Sequence, residues 1–375
     1  IAAEPIDEFL SYRLIEPGYM GYEVISINQR NLTNFREKEV YNNMMYSDNL
    51  TKSQCINCHS YQNYRTDNMQ FHVRQFKGGT VIVNDGEAMK INLQSDSTVS
   101  AGVYPSWHPT EKLIAYSVNK IGQMFHSKNL EKVQVVDTRS DIILLDIEKK
   151  EIQHVVRDPN SLETWPHWSP DGKTLYFASA RFTADTKKAD QAAVENYNSV
   201  RYDLLSIPFD LKSRKFGQQD TIFSAARIGK SAALPRVSPD GKYLMFSLAD
   251  YGNFHIWHKS SDIYLKDLTT GKVRPMQTIN SAEVESYHSW SSNGRWIVFS
   301  TRRDDGSYTR PYIAYFDSNG REHKPFIVPQ KDPEYYGQLF KSFNIPEFTI
   351  EEIPLSAHDF YKTISEDAVP VSYSS

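Results

Sequence analysis

The sequence predicts an all-β fold made of repeated small sheets, each of about four strands, as in the blades of a β-propeller. Two observations predict this fold. One pattern recurs four times, with copies that begin at residues 104, 165, 234 and 287. Each copy also contains alternating apolar side chains, which is the pattern of a half-buried strand. The chain has 375 residues, so it is long enough to bury a large core.

The repeated pattern has the chemistry of a strand, a tight turn and a second strand. The four copies are Tyr104–Ser117, Trp165–Ala178, Leu234–Ser247 and Tyr287–Ser300. Three of them contain Asp-Gly or Asn-Gly, ending at Gly172, Gly241 and Gly294, which supplies the positive-φ glycine that a hairpin favours. A further alternating strand follows each copy, at 140–146, 202–207, 261–267 and 311–317. Each unit is therefore predicted to be one blade.

These copies resemble the TolB-type, WD-like β-propeller repeat over roughly residues 100–320. Four copies do not close a ring comfortably, so the flanks are expected to add blades, with strands at 79–83, 89–93 and 21–27. We expect five to seven blades, and the resemblance favours six. The expected divisions are an N-terminal segment (1–78), the propeller (79–331) and a C-terminal extension of unassigned structure (332–375). A polar insertion with a helical turn is expected at 181–200.

Both cysteines of the chain lie in Cys55-Ile56-Asn57-Cys58-His59, the spacing that attaches a c-type haem. On one helical turn, two thiols three residues apart can each add to a haem vinyl group while His59 reaches the iron. The motif resembles that of c-type cytochromes and implies one covalent haem c. A disulfide, free thiols and a zinc site remain open alternatives, although zinc would need a second ligand pair at regular spacing.

The sixth iron ligand is expected to be Met69 or His72, which follow the motif in a stretch that alternates like a strand. The candidate metal ligands are therefore His59, Met69 and His72, and no second metal is expected. Phe71 is a candidate to pack on the macrocycle. We expect residues 1–78 to form an irregular, partly helical haem-binding segment packed against the propeller.

A possible channel site is predicted from residues that the repeat does not dictate. His167 and Arg236 directly precede the Trp/Val position of the repeat, and His288 follows Tyr287. Innermost strands of a propeller face its central channel, where polar residues hold either a ligand or structural water. The sequence contains no nucleophile elbow, zinc-protease motif or phosphate-binding loop, so no catalytic residue is assigned.

Composition limits the partners and the location. A net charge of −4 without a basic block argues against nucleic acid. No apolar run approaches the roughly 18 residues of a membrane-spanning helix. The cytochrome resemblance implies a bacterial periplasm or cell envelope, and an upstream targeting segment or lipid anchor stays open because the chain begins at Ile1.

The leading functional prediction is a periplasmic monohaem cytochrome-like propeller that transfers electrons and docks a redox partner. One alternative is a haem-free TolB-like interaction scaffold that binds a protein of the cell envelope. The other is a haem enzyme that acts on peroxide or a nitrogen oxide.

Overall fold

The computed structural model describes residues 2, 4–16, 24–46, 53–126, 128, 131–181 and 194–374. The chain forms two compact units. Unit 1 consists of Ile1–Asn92, Gln277–Ile279 and Tyr287–Val369, and unit 2 consists of Leu93–Met276, Asn280–Ser286 and Pro370–Ser375.

Strands dominate both units. In chain order they are β1 (Phe9–Ile15), β2 (Ser26–Asn31), β3 (Glu37–Asn42), β4 (Gln54–Gln62), β5 (Arg65–Gln75), β6 (Gly79–Asn84), β7 (Glu87–Asn92), β8 (Gly102–Trp107), β9 (Leu113–Phe125), β10 (Val133–Asp146), β11 (Glu151–Val156), β12 (Ser161–Trp168), β13 (Thr174–Arg181), β14 (Asp203–Asp210), β15 (Lys215–Phe216), β16 (Asp220–Phe223), β17 (Ser231–Val237), β18 (Tyr243–Ala249), β19 (Asp262–Asp267), β20 (Val273–Pro275), β21 (Glu285–Trp290), β22 (Trp296–Thr301), β23 (Arg310–Tyr315), β24 (Phe326–Ile327), β25 (Ser342–Thr349), β26 (Val369–Pro370) and β27 (Ser372–Tyr373). The helices are α1 (Tyr335–Gln338) and α2 (Ala357–Ser365), with 3-10 turns at Tyr197–Ser199, Ala226–Ile228 and His255–Trp257.

Unit 1 is built from sheets of consecutive strands. Their orders are β25-β1-β2-β3, then β4-β5-β6-β7 with β26 at the outer edge, and β21-β22-β23-β24. The first sheet joins distant parts of the chain, because β25 pairs antiparallel with β1, from Phe9 opposite Thr349 to Ile15 opposite Ser342.

Unit 2 repeats the same arrangement. The strands β17-β18-β19-β20 form one antiparallel sheet. A ten-stranded sheet contains two further antiparallel groups, β8-β9-β10-β11 and β12-β13-β14 with β15 and β16 at the edge of β14. A single parallel pair, Ser140 opposite Leu162, connects the two groups.

The hairpin β9–β10 is much longer than its neighbours in unit 2. It pairs from Leu113 opposite Asp146 out to Phe125 opposite Val133, whereas β8 pairs with β9 only up to Val118. The outer half of the hairpin therefore extends past the sheet, and this extension carries Asn119 and Asp137 to the loop around Asn253.

The predicted turn chemistry and strand alternation are confirmed. Gly172, Gly241 and Gly294 have φ values of 69°, 73° and 66°, which an L side chain adopts only with strain. The strands that follow these turns bury alternate apolar residues; Leu175 and Phe177, for example, are both fully buried. The strands expected at 79–83 and 89–93 are also present as β6 and β7.

The expected helical turn at the cysteine motif is wrong, because residues 54–62 form strand β4. The motif begins with a period-two burial pattern, in which Gln54 and Ile56 are buried and Cys55 and Asn57 are half-buried. Thiol spacing alone suggested the helix, and pairing with β5 overrides it.

The structure also bears on the predicted domain boundary after residue 78 and on the C-terminal region. The pairing of β5 with β6 runs across the boundary expected after residue 78, so that boundary lies within one continuous sheet. The region 332–375 supplies β25 to the sheet of β1 and contains α2, whose Phe360 and Ile364 join the core of unit 1. Within 21–27, residues 21–23 lie outside the described part of the chain, as do 182–193 of the expected insertion.

Candidate functional site

A kink with a positive φ angle recurs in the first strand of each antiparallel group. The kink residues, with φ between 48° and 56°, are Cys58, Tyr104, Trp165, Leu234, Tyr287 and Ile345. In the five of these strands for which the register is known, the pairing shifts at the kink, so that extra residues on this strand bulge out of the ladder. The kink is followed by proline in four strands, namely at Pro105, Pro166, Pro235 and Pro346.

The cysteine motif occupies this same kink. Cys58 is the positive-φ residue, and His59 takes the place that proline has in four of the other strands and that His288 has in the fifth. The side-chain amide of Gln70, on β5, donates a hydrogen bond from Nε2 to the Cys58 carbonyl, which holds the kink in place. The geometry at Cys58 and His59 is therefore that of the repeated strand, and the motif adds no separate structural element.

His59 is enclosed by protein in unit 1. The residue is 1% exposed, and its ring lies edge-on to Tyr61 with 6.0 Å between the ring centroids. Burial lowers the pKa of His59 to about 3; the charge of Arg13 also lowers it, and the backbone of Ile345 acts in the opposite direction. His59 is therefore a neutral imidazole at physiological pH.

Met69 and His72 lie on opposite faces of strand β5. Met69 is fully buried in an apolar cluster that includes Ile56, Phe71 and Val73. His72 pairs across the sheet with Thr80, and its Nδ1 lies 2.8 Å from the Thr80 hydroxyl. Burial lowers the pKa of His72 to about 3, so it too is neutral. The two predicted distal ligands thus have separate structural roles.

These residues do not fit a covalently attached haem. An axial histidine needs an open face for the iron and the macrocycle, whereas His59 is 1% exposed and has Tyr61 edge-on to its ring. The sixth ligand was predicted to be Met69 or His72, and the structure places Met69 in the apolar core and the His72 ring beside the Thr80 hydroxyl. No group of three or more His, Cys, Asp or Glu residues in the described ranges is arranged to hold a metal ion. Covalent haem attachment at this motif stays a prediction.

A substitution at the kink tests this interpretation. Because Cys58 has φ 55°, glycine adopts its backbone conformation without steric cost. We expect Cys58→Gly to change the free energy of unfolding by less than about 1 kcal/mol, since relief of the left-handed backbone offsets the loss of a buried thiol. Urea denaturation measures this change.

The control is Cys55→Gly, in the regular part of β4, where glycine is expected to cost about 1 kcal/mol. A Cys58→Gly variant that does not fold, beside a stable Cys55→Gly variant, would contradict a purely structural kink.

The predicted channel residues lie next to the kinks. In unit 2, His167 is half-buried opposite Tyr176, and Arg236 lies opposite Met245 and donates a hydrogen bond to the Pro235 carbonyl at 3.0 Å. In unit 1, His288 directly follows the kink residue Tyr287 and is 2% exposed. His167 and Arg236 thus occupy one column of neighbouring repeats, and their role as a channel site stays a prediction.

Sequence reasoning missed a buried polar cluster centred on Asp137 in unit 2. Its carboxylate accepts hydrogen bonds from Asn119 Nδ2 (2.8 Å), Asn253 Nδ2 (2.7 Å) and the Tyr202 hydroxyl (3.3 Å). The kink residue Trp165 joins the cluster, because its indole N–H donates to the Asn253 carbonyl at 3.1 Å. Burial raises the pKa of Asp137 to about 6, against the effect of its three donors. The one sequence signal was an acid that directly follows the valine-rich stretch Val133–Val136.

A second buried acid, Glu163, lies on β12 two residues before the kink at Trp165. It is 1% exposed, and its Oε1 accepts hydrogen bonds from the hydroxyls of Ser161 and Ser179, while Oε2 has no hydrogen-bond partner. Burial raises the pKa of Glu163 to about 7. At neutral pH this side chain can hold or release a proton, which makes it a buried acid with no fixed charge.

Glu163 should make stability depend on pH. The folded protein holds this proton more tightly than the unfolded chain does, so the contribution of Glu163 to the free energy of unfolding falls as pH rises from 4.5 to about 7. A shift of this size corresponds to roughly 3 kcal/mol. We expect the difference in the free energy of unfolding between Glu163→Gln and the parent to change by about this amount from pH 4.5 to pH 7, as measured by urea unfolding at pH 4.5, 5.5 and 7.

The control for this experiment is Asp210→Asn, at an exposed turn, where the pH profile of the parent is expected to persist. An unchanged pH profile for Glu163→Gln would show that Glu163 keeps its ordinary pKa.

Comparisons with known proteins identify solved structures with a similar fold. No protein-family model matches the chain, and no curated protein matches it. TolB from Acinetobacter baumannii matches with a TM-score of 0.53 and 14% identity, over 90% of this chain and 66% of that one. The chain therefore spans just under two thirds of the length of that TolB structure.

Two further solved structures are similar. A hypothetical selenium-binding protein from Sulfolobus tokodaii matches with a TM-score of 0.51 and 8% identity, over 95% of this chain and 96% of that one. A putative TolB from Agrobacterium tumefaciens has a TM-score of 0.49 and 14% identity, over 87% and 90% of the two chains. None of the helices in the described ranges is long and apolar enough to cross a bilayer. The chain has an all-β, propeller-like fold similar to that of TolB.

Proposed function

We propose that this chain is a haem-free, non-catalytic interaction protein of the cell envelope. The observation that carries the proposal is the place of Cys58 and His59 in the kink shared by the repeated strands. The only cofactor motif of the sequence is then explained by the fold. What remains is a TolB-like propeller, a type of scaffold whose ligands are held by residues on its strands and loops.

The finer architecture belongs to the same proposal. Each of the strands β4, β8, β12, β17, β21 and β25 opens an antiparallel group and carries the kink. We interpret them as the innermost strands of six blades, which agrees with the blade number that the repeat resemblance favours. Within unit 2, residues beside the kinks, His167 and Arg236 among them, would then line a binding surface.

A cytochrome function has one observation in its favour, the spacing of Cys55, Cys58 and His59. The enclosed His59 ring and the placement of Met69 and His72 argue against it. Electron transfer and haem-based chemistry on peroxide or nitrogen oxides both require that group, so a single haem assay separates them from the scaffold function.

Site-specific photo-crosslinking in the native host tests the interaction function. A benzoylphenylalanine at His167, which is half-buried beside the kink, is expected to crosslink to a defined protein that mass spectrometry identifies. The matched control is the same replacement at Lys212, an exposed turn residue of unit 2. Equal crosslinking at both positions would contradict partner binding at the kinked strands. So would the absence of crosslinking both at His167 and with the same replacement at Arg236.

A further inference from the structure

A groove of about 390 Å³ lies between two Ser-Pro-Asp-Gly turns of unit 2. Asp171 lines it from the turn after β12, and Asp240 lines it from the turn after β17. Between them the groove is lined by apolar and aromatic side chains that include Val237, Leu268 and Tyr176. Its volume falls in the range of small-ligand and side-chain pockets.

The turns themselves do not require these negative charges. Asp171 Oδ1 accepts from the Ser169 hydroxyl (2.6 Å) and the Lys173 amide (3.1 Å), and Asp240 Oδ1 accepts from the Ser238 hydroxyl (2.6 Å) and the Lys242 amide (3.2 Å). In the corresponding turn of unit 1, Asn293 Oδ1 makes the same two bonds, to Ser291 (2.7 Å) and Arg295 (2.9 Å). One acceptor oxygen is enough for the turn, so the turn geometry does not require the charge of either aspartate. The charges interact instead with Lys173 and Lys242, which follow the two turns.

Both carboxylates are ionised at neutral pH. The pKa of Asp171 lies below its usual value, mainly because the Ser169 hydroxyl donates a hydrogen bond to the carboxylate. Burial of Asp240 opposes its ionisation, but Ser238 and Lys242 together hold its pKa below the usual value. The Lys242 ammonium lies 3.5 Å from Asp240 Oδ2, and its side chain is 65% exposed. Such a surface pair contributes little, so an incoming cation can replace it.

We propose that this groove binds an arginine side chain of a protein partner, with the guanidinium facing Asp171 and Asp240 and its methylenes on the apolar floor. The carboxylates supply acceptors suited to the planar fork of arginine. Val237 and Leu268 suit its aliphatic part, and the Tyr176 ring offers an aromatic surface. The inference goes beyond the proposed function and does not depend on it, because the groove lies at turns and would exist with or without haem.

Fluorescence anisotropy with a labelled Arg-Leu-Arg peptide amide tests the groove. The matched probe carries citrulline in place of both arginines, which keeps the shape and removes the charge. We expect the arginine peptide to bind and the citrulline peptide not to bind, with affinity that falls as salt increases. Asp171→Asn and Asp240→Asn are each expected to weaken binding by up to about fivefold. Both variants should keep the turn intact, because Asn293 makes the same hydrogen bond in the corresponding turn of unit 1.

The control variant is Asp305→Asn, at an exposed turn of unit 1 where Oδ1 accepts from the amides of Ser307 and Tyr308. Equal binding of the two peptides, or equal weakening by Asp305→Asn, would overturn the proposal. So would the absence of binding by the arginine peptide at millimolar concentration. Spermidine that competes as strongly as the peptide would overturn the assignment to an arginine side chain. Thermal unfolding of each variant checks that it is folded.

Discussion

Replacing Asp137 by alanine is expected to lower the free energy of unfolding by about 3–5 kcal/mol. The carboxylate is 2% exposed and satisfies three buried donors, from Asn119, Asn253 and Tyr202. Alanine removes the acceptor that all three donors share and leaves Asn119 Nδ2 only a long hydrogen bond of 3.4 Å to the Thr164 hydroxyl. Each buried group that loses its only partner costs about 1–3 kcal/mol. Urea unfolding followed by tryptophan fluorescence measures the loss.

Two further variants make this result specific. Asp137→Asn keeps one acceptor oxygen, so it should cost less than the alanine variant. Asp210→Ala removes an exposed turn carboxylate that bonds Ser213, and we expect it to cost about 1 kcal/mol at most. Because Asp137 connects the long β9–β10 hairpin to the Asn253 loop, hydrogen exchange should also accelerate in β10. An Asp137→Ala variant within 1 kcal/mol of the parent would show that the cluster does not hold the hairpin.

The second large effect is expected for Phe71→Ala, at about 3–5 kcal/mol. Phe71 is fully buried, with its ring centroid 6.0 Å from that of Tyr41 and 5.3 Å from that of Phe360 on α2. Truncation leaves a cavity between sheet and helix that the surrounding strands cannot fill. Thermal and urea unfolding of the purified variant measure the effect.

This substitution also separates two interpretations of the motif region. The sequence placed Phe71 against a haem, whereas the structure places it in a protein core, so the destabilisation should be the same in protein that has never met haem. Phe340→Ala is the control, because Phe340 is 65% exposed and its truncation should change stability by about 0.5 kcal/mol or less. If the two variants lose equal stability, Phe71 is not a core residue.

Much of the strand structure was predictable, for local reasons. Gly172, Gly241 and Gly294 marked hairpins because few other residues adopt positive φ, and the alternation after them has the period of a strand. The pairing of β1 with β25 was not predictable, because the two strands are separated by more than 300 residues and neither carries a pairing signal.

The site was harder to predict, because its features arise from tertiary structure. The Cys58–His59 step has the spacing of a haem motif, and only the positive φ angle connects it with Tyr287–His288 in another strand. The Asp137 cluster draws on residues that are 18 and 116 positions apart along the chain. Local periodicity carries no information about such contacts.

The most direct test of the account is a pyridine haemochrome assay, with an oxidised-minus-reduced spectrum, on protein exported in a host that has cytochrome c maturation machinery. The account predicts no covalent haem, because His59 is enclosed and the cysteines lie on a strand with a structural kink. Cys55→Ser should then leave the absorption spectrum unchanged. A c-type haemochrome signal that Cys55→Ser abolishes would contradict the account and restore the cytochrome function.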